Sequence, residues 1–127
     1  MNYNPAMIRR TNKTIAGYHL LMILSAVDFK FSVEGDMVIR EFLVKEFPFE
    51  VPLDKEMSVI SALQPNEWEN HFLKNMDDFY DDATEAERLD FMKFAIKLTK
   101  ADNVITPQEN YYLNLLFDYW NIENKEG

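Results

Sequence analysis

Asp28 and Asp102 are the two carboxylates whose placement most needs a chemical explanation. Each follows an apolar run with helical character, Ile15 to Val27 in one case and Leu89 to Leu98 in the other. A carboxylate at a helix C-terminus is locally unfavourable, because the macrodipole leaves that end partly negative. Two readings explain why the chain does this twice. Each Asp can cap the following turn by accepting backbone N–H bonds. Alternatively Asp28 and Asp102 approach each other and bind a cation, through hard oxygen ligands, or a basic partner group. Neither loop has calcium-loop spacing, and Glu109 stands where it would close a capping box with Thr106.

Other residues with chemical potential are few. His19 and His71 are the only imidazoles. His19 lies inside an apolar run, where a buried neutral ring bonded to a carbonyl is commoner than a catalytic base. His71 falls among Glu67, Asn70 and Lys74 and reads as exposed. Asp77, Asp78, Asp81 and Asp82 form the densest acidic group. Oxygen-rich clusters suit Ca²⁺ or Mg²⁺, but a solvated junction between two helices explains the group as well. Tyr111, Tyr112, Phe117, Tyr119 and Trp120 put more rings on one short helix than a single buried face needs. Tyr111, Tyr119 and Trp120 are therefore candidates for a protein-binding patch. No nucleophile, metal set or acid/base pair converges by spacing, so the expectation is a non-enzymatic protein without a cofactor.

Composition narrows the class. At 127 residues the chain suits one domain with a single core. It contains no Cys, which excludes disulfides, thiolate zinc sites and cysteine nucleophiles. The formal charge of −9 is lopsided: residues 1–63 carry seven basic and eight acidic side chains, residues 64–127 six and fourteen. An acidic second half disfavours nucleic acid, whose binding draws on a basic surface. Arg9 to Val27 mimics a signal peptide, yet Tyr18 and His19 interrupt it and the run is too short to span a bilayer. A buried core helix in a cytoplasmic protein is the expectation.

The elements that must position these residues are all helical. A helix from about Lys13 to Val27 is apolar on all sides and belongs at the centre. A second runs from Ser32 to about Phe47, with Val33, Met37, Val38, Phe42 and Leu43 as its apolar positions and Asp36/Arg40 and Glu41/Lys45 as exposed pairs. Pro48 ends it, and a short helix capped by Asp54 reaches Leu63. From Gln64, a stripe of Trp68, Phe72, Met76, Phe79 and Tyr80 predicts an amphipathic helix. Thr84 and Glu87 form a capping box for a further central helix. Thr106, Pro107 and Glu109 start the last helix, which ends near Trp120. No window alternates as a strand does, so the expected fold class is an all-α, single-domain bundle of about six helices.

The chain also carries an internal repeat. Laying Asp28 on Asp102 places Phe31 on Ile105, Ser32 on Thr106, Val38 on Tyr112, Ile39 on Leu113 and Phe42 on Leu116. Two helix hairpins packed face to face, with the middle helices as a lid, explain the match.

Leu98 through Glu109, with its Ala101-Asp102-Asn103 ending, apolar Ile105, hydroxyl cap and Glu seven residues after the Asp, resembles the hallmark of the tellurite-resistance TerB-like domain. Leu24 through Gly35 resembles that family's degenerate first copy. Asn103 stands where the family usually has Gly, and Gly35 where it has Glu. The resemblance implies an all-helical domain with an acidic cluster near a pseudo-two-fold axis, used in tellurite-resistance and stress-response systems. On it, Asp28, Asp102 and Glu109 are the cation candidates, and the expected partner is another protein.

Overall fold

The computed structural model describes residues 13–26, 33–47, 52–100 and 105–120. Among them the chain forms six α-helices, one 3₁₀ turn and no strand. The helices are α1 (Lys13–Ala26), α2 (Val33–Glu46), α3 (Leu53–Ser61), α4 (Trp68–Asp82), α5 (Glu85–Thr99) and α6 (Pro107–Tyr119), with the 3₁₀ turn Pro65–Glu67 leading into α4. None of the described helices is long and apolar enough to cross a membrane.

α1 is the axis of the bundle. Its apolar residues leave no solvent face, and Ala16, Tyr18 and every residue from Leu20 to Leu24 are fully buried. Each buried Leu or Ile contributes about 1.5–3 kcal/mol, and α1 contacts all five other helices. Gly17 lets three of them come close. A Cβ there would lie 3.1 Å from Phe91, and 3.3 Å from both Leu43 and Phe79. The loss of helix propensity, about 1 kcal/mol against Ala, is offset by the close approach of α2, α4 and α5.

α4 follows its predicted stripe. Phe72, Met76 and Phe79 are buried and Trp68 half-buried, while Tyr80 stays exposed under the Arg88 guanidinium, 4.0 Å from its ring centroid. The middle helices do not form a lid: α4 makes the most extensive contact with α1 of any helix. α5 is not central either. It buries Phe91, Met92, Ala95 and Thr99 on one side and leaves Leu89 exposed. Both predicted capping boxes are present. Thr84 Oγ1 accepts from the Glu87 N–H at 3.1 Å, and Thr106 Oγ1 from the Glu109 N–H at 3.1 Å.

α2 is rotated from its expected register. Ile39 and Leu43 are buried, whereas Met37 and Val38, expected in the core, are exposed. Asp36, Ile39, Arg40, Leu43 and Phe47 share the inward stripe by helical spacing, because a polar network draws Asp36 and Arg40 in. The Tyr18 hydroxyl donates to Asp36 at 2.5 Å, and Arg40 Nε donates to the same oxygen at 2.9 Å. Arg40 reaches on to Asp54 at 2.9 Å, so the pair expected on the surface links α1, α2 and α3.

Candidate functional site

The polar group with the most organised geometry is a string of three side chains from three helices. His19, in the middle of α1, is 3% exposed. Its Nε2 lies 2.7 Å from Glu56 Oε1, near the start of α3. Its Nδ1 lies 2.7 Å from His71 Nε2, one turn into α4. The two rings sit 4.8 Å apart at 45°. His71 in turn lines an open cleft of about 370 Å³ together with Leu63, Asn66, Glu67, Asn70 and Lys74.

Donor counting fixes the tautomers. An ionised Glu56 only accepts, so His19 donates from Nε2 and its Nδ1 is left as an acceptor. His71 must then donate from Nε2, and its Nδ1 is not used in the string. Burial lowers the pKa of His19, against an opposing pull from Glu56. Burial, then the neighbouring His19 and Lys74, bring His71 down to about 4. At neutral pH both rings are uncharged, and the string can pass a proton between the cleft and Glu56. Its three members are arranged in a line, and no cluster of three or more His, Asp or Glu among the described residues is set to hold a metal ion.

The structure sorts the residues singled out by sequence. Asp28 and Asp102 lie outside the described residues. Glu109 uses one carboxylate oxygen to accept the Thr106 N–H at 2.9 Å, which is the capping role. Tyr111 and Tyr119 are 47% and 59% exposed, and the Tyr111 hydroxyl donates to Glu69 at 2.8 Å. Trp120, expected on the same contact surface, is buried. It stacks on Phe79 at 5.2 Å and donates Nε1–H to the Met76 carbonyl at 3.1 Å. The ring closes the end of α6 against α4, and this absorbs part of the aromatic surplus.

The acidic group is not uniformly solvated. Asp78 is 8% exposed and bonded to Lys74 at 3.0 Å, while Asp82 accepts the backbone N–H of Lys13 at 2.9 Å and so caps the first described turn of α1. His71 is not the exposed residue its polar neighbours suggested, and His19 meets a carboxylate and a second imidazole rather than a carbonyl. One signal for this was available: two lone histidines, each next to an apolar face, in a chain with no other imidazole. Comparison with family models, curated proteins and solved structures finds no match to this chain.

Proposed function

We propose that this chain is a non-enzymatic helical interaction module that binds another protein through the outward face of α2. The observation that carries this reading is the exposure of Met37 (63%), Val38 (46%) and Val44 (65%) on a helix that already buries Ile39 and Leu43. Met37 and Val44 are seven residues apart and lie on one line of the helix, with Val38 about 100° round. Isolated exposed apolar residues are ordinary, but a group on one arc is characteristic of contact surfaces. Tyr111 and Tyr119 on α6, set in the acidic second half, supply a further surface suited to a partner with basic and apolar side chains. In the same reading the module is cytoplasmic and serves a stress-related assembly, the latter being the setting that the TerB-like resemblance implies.

The test is partner capture from the native organism with the wild-type chain and a Met37→Ser/Val44→Ser double variant. Both sites are exposed, so the variant should keep its fold and melting temperature. Capture should weaken at least tenfold, the loss expected when central apolar contacts are removed. Undiminished capture by the double variant would remove α2 from the interface.

A further inference from the structure

We propose that Glu56, His19 and His71 form a proton-operated latch that holds α3 against α1 and α4 through one added proton and releases it on the second. At 2.7 Å the facing nitrogens of His19 and His71 have room for one hydrogen between them. The same is true between His19 and Glu56.

A first added proton can be taken up without breaking either bond. It binds Nδ1 of His71, the nitrogen outside the string, and the Nε2 hydrogen of His71 passes to Nδ1 of His19. His19 is then an imidazolium donating to Glu56 on one side and to His71 Nε2 on the other, and His71 is neutral again. The charge rests beside Glu56, where a charge-assisted bond compensates its burial. A second proton has no such place. On His71 it puts two N–H groups and two positive rings face to face. On Glu56 it removes the negative partner of a buried cation.

What the latch holds is the weakest element of the bundle. α3 has nine residues, too few to be stable as an isolated helix, and it buries only Leu53 and Ile60. Its other ties are Glu56 to His19 and the exposed Asp54 to Arg40. Losing the first leaves α3 on Leu53, Ile60, the half-buried Met57 and one exposed ion pair, so its release precedes that of the core. The charged groups around the string agree with this order. From α4 it meets Lys74, which opposes a further positive charge, and Glu67, which favours one. From α3 it meets Glu56. On α2, Asp36 and Arg40 are engaged with Tyr18, and on α5, Glu87 is engaged with Lys13.

Nitrogen-15 NMR of the two imidazole rings in the whole chain tests this, combined with backbone amide exchange between pH 7 and pH 4. At pH 7 both rings should carry hydrogen on Nε2. The rings should take up protons in two separated steps, and the second should bring a tenfold or greater loss of α3 protection relative to α5. Glu56→Gln keeps an acceptor but removes the charge, and it should move the first step at least one pH unit lower. Two rings titrating together near 6.5, a first step unmoved by Glu56→Gln, or α3 protection that follows α5 throughout would each overturn the proposal. If Glu56→Gln fails to fold, the wild-type rings decide it alone.

Discussion

α1 is tied to its neighbours by polar groups in two places that resemble each other in chemistry and differ in surroundings. At its start, Lys13 donates from Nζ to both oxygens of Glu87 at 2.9 Å and from its backbone N–H to Asp82, at the rim of the bundle. In its middle, His19 is held by Glu56 and His71 with almost no exposure. Water can replace a lost partner on either side chain of the first pair, but at the second it cannot reach His19. The rim tie therefore orients α1 at little net energy, whereas the inner one leaves the buried His19 ring short of a partner whenever it is broken.

The pH dependence separates the two further. His71 has a folded pKa of about 4 against an ordinary 6.5, so the unfolded chain binds more protons throughout that interval. Stability is then full above about 6.5 and falls as pH drops toward 4. Glu87 has a dependence of the same sign in a lower pH window. Burial works to raise it, but Lys13 and the Thr84 N–H outweigh burial and lower it. Its contribution is present above the ordinary carboxylate range and is lost only as pH falls below it.

Four measurements would break or sharpen this contrast. The largest effect belongs to His19→Ala, which creates a cavity and strands both Glu56 and His71. Urea unfolding should show a loss of about 3–5 kcal/mol. Next is the acid limb of the stability curve: unfolding midpoints should begin to fall near pH 6.5, and His71→Phe should flatten the curve between 6.5 and 4. Thr84→Ala, which removes the hydroxyl half of the cap beside Glu87, should cost about 1 kcal/mol by thermal melting. Lys13→Met should cost about 0.5–1 kcal/mol, and added salt should erase most of the difference. A Lys13→Met loss as large as that of His19→Ala would end the distinction between rim and interior.

The same contrast explains what could be read in advance. A capping box lies within three residues, so Thr84 with Glu87 and Thr106 with Glu109 were legible from spacing alone. The all-round apolar character of α1 gave its central place for the same local reason. The histidine string depends on separations of 37 and 52 residues and on three helix rotations at once. No periodicity encodes that. The register of α2 was misread because Asp36 and Arg40 are polar by type but occupy the inward stripe, where the Tyr18 hydroxyl satisfies them. Trp120 was misread because ring counting on α6 ignored the groove beside Phe79 that the ring fills.

The missing side chain at Gly17 links the sizes of residues far apart in the sequence. Phe91, Leu43 and Phe79 all lean into the space a methyl group would take. Positions 17, 43, 79 and 91 therefore share one space, and enlargement at the first requires the other three to give way by a few tenths of an ångström or to shrink. Engineering of this bundle should treat the four as a single unit.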